Sequence, residues 1–170
     1  MNIREALLLE NSKRNFLEIA AYIGEDSARF AELMKIFFAG EYRLTQRAAY
    51  VFMICVERFP DLVKPFLKKL VAGLKRKGVE AATRRNVVRM RMFIELPKYL
   101  EGRIYSHCID LIDDMNEQIA VRAFALTVAT RIGKHEPALV NELCLIVKKH
   151  LPQTTVGFHH RAKEILACQK

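Results

Sequence analysis

Apolar residues recur at spacings of three and four along almost the whole chain, and no stretch alternates polar and apolar residues with period two between turn signals. The first pattern belongs to helices with one buried face, and without the second no convincing strand is left, so the chain reads as all-α. Breakers cut the pattern into helices over about 3–9, 12–22, 27–38, 41–59, 62–77, 80–96, 99–113, 116–132, 137–151 and 155–168. Gly24 and Gly40 follow the second and third segments as left-handed C-terminal caps, and Gly78 and Gly133 stop two later ones. Pro60 with Asp61 ends the fourth helix and opens the fifth, whose first turn is where Pro65 is tolerated. Pro97 and Pro152 close two more, and a threonine caps the last.

Within these helices one arginine-centred phrase returns five times, at Arg14, Arg47, Arg85, Arg122 and Arg161, with intervals of 33, 38, 37 and 39 residues. Near-constant spacing of this size is the mark of a repeat architecture. Connections of two to five residues make successive helices antiparallel, and a single helical pair cannot bury its apolar stripe alone. About five stacked antiparallel hairpins, an α-α superhelix or α-solenoid forming one domain over residues 1–170, are therefore expected.

The arginine-bearing helix of each pair resembles the second helix of a HEAT repeat, in the HEAT and armadillo-type class, whose consensus runs from an acidic residue to a Val-Arg pair and then Ala. Val121-Arg122-Ala123 matches that core, with Asn116 at the acidic position, while Glu41 and Arg47 supply acid and base with Gln46 in place of Val. Gln46-Arg47-Ala48-Ala49, Ala120-Val121-Arg122-Ala123-Phe124-Ala125 and Leu151-Pro152-Gln153 are also similar to short bacterial HEAT-like proteins, a likeness that implies no activity. The resemblance covers essentially the whole chain and implies a right-handed superhelix whose second helices line a concave face. It also implies that Arg47, Arg85 and Arg122 bridge neighbouring repeats, so that Arg47 and Arg122, with Glu41, form a structural ladder.

Charge adds a candidate surface. Of 28 basic and 19 acidic residues, residues 64–91 hold ten and one, so the net charge of +9 belongs to that segment and the rest of the chain carries 18 of each sign. Clustered positive charge steers polyanions and acidic partners toward it. Arg84, Arg85, Arg89 and Arg91 fall within one arc of about 160° at 100° per residue, with Val88, Met92 and Glu95, while Thr83, Val87, Met90 and Ile94 take the core-facing side. By the resemblance those arginines project into the groove, rimmed by Lys75, Arg76 and Lys77 and with Tyr50 and Tyr42 nearby. Other accounts of the same cations stand beside this one. Positive charge at a helix C-terminus is favourable by roughly 0.3–1 kcal/mol without any ligand. Lys64 and Lys68 suit a solvated face, and Arg85 suits the ladder.

Catalytic chemistry is not visible. No nucleophile with its base, paired carboxylates, metal set or glycine-rich phosphate loop appears, so no catalytic residue, metal or cofactor is assigned. His159 and His160 point about 100° apart on a helix and have no partner at metal spacing. Some HEAT-like proteins are alkyl-purine DNA glycosylases whose sites use tryptophan and a groove aspartate; this chain has no Trp and no Asp between Asp61 and Asp110. Cys55, Cys108, Cys144 and Cys168 lie far apart inside helical patterns and read as small buried apolar residues of a reducing compartment. The first helix is too short for a signal-peptide core, and the longest apolar run, 48–56, cannot span a bilayer, so a soluble cytoplasmic protein without a membrane partner is expected.

The function that follows is a non-catalytic binding scaffold whose basic face takes a protein partner with an acidic or phosphorylated segment. Guanidinium groups suit carboxylate and phosphate alike, and a non-sequence-specific nucleic-acid binder is the alternative, with salt-sensitive affinity and little aromatic stacking. A third reading is an assembly subunit that uses open stack ends, at which Phe16, Phe158 and Ile165 would be uncovered.

Overall fold

Local chemistry sets each helix end. In the computed structural model, which describes residues 1–74, 81–153 and 155–167, Asn2 caps α1 (Ile3–Leu9) by accepting from the Glu5 N–H. Ser12 caps α2 (Lys13–Ile23) through the Asn15 N–H, and Asp26 caps α3 (Ser27–Ala39) through two N–H groups at 2.8 and 3.0 Å. These bonds satisfy donors that a helix start leaves open. Gly40 ends α3 in the left-handed conformation, as expected from sequence, whereas Gly24 ends α2 with φ of +51° but ψ of −133°. Both glycines take positive φ, which a side chain would disfavour.

The remaining helices are α4 (Tyr42–Arg58), α5 (Leu67–Gly73), α6 (Ala81–Met90), α7 (Lys98–Asp113), α8 (Ile119–Gly133), α9 (Pro137–His150) and α10 (Val156–Ala167). Two segments depart from expectation. The helix read over 62–77 opens instead as a 3₁₀ stretch, Pro60–Phe66, before α5 begins. Pro65 lacks an N–H and restrains Lys64, so the chain runs as a tighter turn until it has passed that residue. The helix read over 80–96 stops at Met90, where Arg91, Met92 and Phe93 donate to carbonyls three residues back.

Contacts group the chain into two compact units, Met1–Ile94 and Glu95–Lys170. In the first, α3 packs on α4, α1 packs on α2 and α4, and the second helices of successive pairs meet in order, α2 on α4 and α4 on α6. Its centre is aromatic: Phe52 lies 6.3 Å from Phe30 and 5.3 Å from Phe37, and Phe66 meets Phe30 edge-on at 5.8 Å. In the second unit α7 pairs with α8 and α9 with α10, while α7 also meets α9 and α8 meets α10. This is two layers of first and second helices, the arrangement that stacked hairpins require. Helix α8 is buried on most of its circumference, through Val121, Arg122, Ala123, Ala125, Leu126, Val128 and Ala129.

Phe16, Phe158 and Ile165, which open stack ends would leave uncovered, are all buried. Cys55, Cys108 and Cys144 are buried free thiols, and burial pushes Cys55 and Cys108 up to about 12. Cys168 lies outside the described residues. No helix among the described residues is long and apolar enough to cross a membrane.

Candidate functional site

The arginines of the repeated phrase divide by what surrounds them. Arg47, one turn into α4, donates from Nη1 to the Leu7 and Leu8 carbonyls at 2.6 and 3.1 Å, so it closes the C-terminal end of α1. Arg122 does the same for α7: its Nε donates to the Ile112 carbonyl at 3.0 Å, and its guanidinium lies 5.4 Å from the Phe158 ring centroid. The last carbonyls of a helix have no partner within it and carry partial negative charge, which a buried cation complements. Burial in turn pulls the Arg122 pKa down, and at 3% exposure the residue belongs to the core. Arg47 thus reaches about 40 residues back, while Arg122 bonds within its own hairpin and meets the next one through the Phe158 ring. Glu41 pairs with Arg4 instead, through contacts of 2.9 and 2.8 Å. The acid of the ladder therefore does not meet Arg47, because Arg47 is occupied by backbone carbonyls.

Asparagines reinforce the same places. Asn15 donates to the Ala6 and Glu10 carbonyls, both at 2.8 Å, and Asn86 donates to the Ala49 carbonyl of α4 at 3.2 Å. Both are buried. Arg14 instead forms an exposed pair with Glu18 one turn along its own helix, at 2.9 Å.

Three arginines of the expected basic face, Arg84, Arg85 and Arg89, lie on α6. Thr83, Val87, Met90 and Ile94 are buried, as the helical wheel predicts, but so is Val88, which the wheel places with the arginines. Arg84, Arg85 and Arg89 are half-buried on α6. Arg89 forms an ion pair of 2.8 Å with Glu57 of α4, and its guanidinium lies 5.7 Å from the Phe93 ring. Glu57 is a partner the sequence reading missed, since an acid 32 residues away in another helix leaves no local signal. Tyr50 stands two turns before Glu57 on α4, exposed and stacked on Phe16 at 5.4 Å with planes 5° apart.

Arg91 is a correction. It follows the last residue of α6, is buried, and donates from Nη1 to the Ile94 carbonyl at 2.6 Å. The helix ends one residue too early to carry it onto the arginine arc, so the guanidinium folds back against the turn. Lys75, Arg76, Lys77 and Glu80 lie outside the described residues. On the preceding segment Lys64 pairs with Asp61 at 2.7 Å, and the Lys69 ammonium lies 4.1 Å from the Phe38 ring.

Among the described residues no group of three His, Cys, Asp or Glu side chains is placed to hold a metal ion. His159 is half-buried, His160 is exposed, and His107 is buried. His150 is also buried, with Nε2 2.7 Å from an Asp113 oxygen that Lys149 contacts at the same distance. The Asp113 carboxyl is held below its ordinary range, first by the Lys149 hydrogen bond and then by that of His150.

A family model described as a HEAT repeat domain matches residues 3–168. No curated protein and no solved structure matches the chain.

Proposed function

The chain belongs to the HEAT repeat family, and on that premise we propose that it is a non-catalytic binding scaffold whose α6 arginines take a protein partner bearing an acidic or phosphorylated segment. The observation that carries this reading is the confinement of the excess positive charge to residues 64–91. Nothing in helix packing requires such clustering, and α6 carries three of its cations, Arg84, Arg85 and Arg89, on the helix that continues the second-helix row of the first unit. Their planar donor forks match carboxylate and phosphate groups. Arg89 pairs with Glu57 at the edge of the surface, and in this reading Arg84 and Arg85 meet the ligand. Tyr50, exposed beside this row, supplies a flat amphipathic contact of the kind that anchors protein interfaces.

The test is fluorescence anisotropy of a labelled acidic peptide, its phosphoserine counterpart, and single- and double-stranded DNA, with the wild-type chain and an Arg84→Glu, Arg85→Glu variant. Arg89 and Arg91 are left alone because the first holds Glu57 and the second is buried. Peptide binding that disappears in a variant with native circular dichroism supports the proposal. DNA bound more tightly than either peptide would transfer the surface to nucleic acid, and peptide affinity unchanged in the variant would remove α6 from the site.

A further inference from the structure

A second basic feature lies entirely within the Glu95–Lys170 unit. Helices α8 and α10 leave between them a cleft of about 220 Å³ lined by Leu126, Thr127, Thr130, Arg131, Lys134 and Arg161. At ~30 Å³ per water this is room for about seven waters, more than a bare tetrahedral anion needs. Thr130 donates its hydroxyl to the Leu126 carbonyl at 2.8 Å and Thr127 to that of Ala123 at 3.2 Å, so both hydroxyl protons are engaged by α8 itself. The charged donors lining the cleft are the two guanidinium groups and the ammonium, of which Arg131 also has a partner of its own. No aspartate or glutamate lines it among the described residues.

The helix dipole explains part of this arrangement but not all of it. Arg131 and Lys134 stand at the C-terminal end of α8, where cations are favourable without a ligand. Arg161 stands mid-way along α10, where no helix end asks for a cation. Its guanidinium is held over the Phe124 ring of α8 at 5.2 Å, and the residue lines the same cleft as Arg131 and Lys134. No aromatic ring lines the cleft among the described residues, so a nucleobase would have no stacking surface.

We propose that the α8–α10 cleft is a phosphate-monoester site that takes a phosphorylated side chain of a protein partner. Three cations suit a group of nearly two negative charges better than a carboxylate, and two guanidinium groups suit its bidentate oxygens. The volume beyond the phosphate accommodates the methylene that joins it to a peptide. The proposal rests on the scaffold reading for the protein nature of the ligand, but not on the α6 arginines.

Amide and arginine side-chain NMR spectra of the ¹⁵N-labelled chain, titrated with N-acetyl-O-phosphoserine amide, test it directly. Saturating shifts are expected at Thr127, Thr130, Arg131, Lys134 and Arg161, with none from N-acetylserine amide and weaker ones from inorganic phosphate or adenosine monophosphate. Arg131→Gln with Arg161→Gln should weaken the phosphoserine compound about tenfold or more. Lys134→Gln, which changes one exposed side chain, should weaken binding in the same direction with native circular dichroism. In the Arg84→Glu, Arg85→Glu variant the shifts at Thr127, Thr130, Arg131, Lys134 and Arg161 should persist whatever happens to shifts on α6, which separates this cleft from the α6 surface. No saturating shift in the cleft, or affinity indifferent to both cleft variants, would overturn the site. Inorganic phosphate or adenosine monophosphate binding as tightly as phosphoserine would overturn its assignment to a protein-borne phosphate.

Discussion

Arg122 and Arg14 hold the same place in the repeated phrase and have opposite surroundings. Arg122 is buried, bonded to the Ile112 carbonyl and set over Phe158, whereas Arg14 is exposed and pairs with Glu18 on its own helix. A hydrogen bond from a charged group is worth more than a neutral one once it is made, and removing it leaves a buried acceptor behind. Arg122→Ala should therefore lower stability by about 2 kcal/mol, measured by urea unfolding, while Arg14→Ala should leave the melting temperature unchanged because exposed pairs contribute little. Equal effects of the two would remove the anchoring role from Arg122. The five arginines are legible in the sequence as a repeat, but their division into anchors and surface residues is not. That division depends on which helix ends the folded chain brings beside each one.

At the scale of the helix, two glycines make opposite predictions. A Cβ added at Gly102, within α7, meets nothing within 4 Å, while one at Gly133, the last residue of α8, comes to 3.1 Å from Leu139 Cβ and 3.3 Å from the Tyr105 ring. Alanine in a helix gains roughly 0.5–1 kcal/mol over glycine, and overpacking costs typically 1–3 kcal/mol. Gly102→Ala should raise the melting temperature and Gly133→Ala should lower it. The tight approach at Gly133 also bears on the Tyr105 hydroxyl, which donates to the Leu139 carbonyl at 2.7 Å. The clasp of Lys149 and His150 on Asp113 ties the end of α9 to the end of α7. Because that carboxyl titrates lower in the folded chain than its ordinary 3.8, its contribution is complete above pH 3.8 and is lost as pH falls through the lower folded value. The stability difference between the wild type and Asp113→Asn should accordingly close on acidification below pH 3.8, as read by urea midpoints; a constant difference would exclude the clasp. Most helices are legible because periodicity and breakers agree. The early end of α6 is not, since Arg91 continues the helical spacing while Pro97, six residues further on, reads as the nearest stop.

For the whole chain, the net charge of +9 hides a segment with all of the excess and a remainder that balances. If clustering rather than total charge governs partner capture, two variants of equal net charge should behave differently. Arg84→Glu with Arg85→Glu and Lys13→Glu with Arg14→Glu each exchange two positive for two negative charges. Only the first should abolish binding of the acidic peptide, and binding by the second should weaken with salt as the Debye length contracts from about 10 Å at 0.1 M. Equal loss in both would assign capture to net charge alone. The basic segment is visible in the sequence, yet the pairing of Arg89 with Glu57 and the meeting of Arg161 with Phe124 of α8 depend on contacts between residues far apart in the chain. The three buried thiols carry a further consequence. Cys55 lies in the first unit and Cys108 and Cys144 in the second, all shielded from solvent, and burial keeps Cys55 and Cys108 protonated at neutral pH. An alkylating reagent reaches each sulfur only when its surroundings open, so the chain carries its own clock, and mass spectrometry of the peptides bearing Cys55, Cys108 and Cys144 would time the breathing of each unit separately.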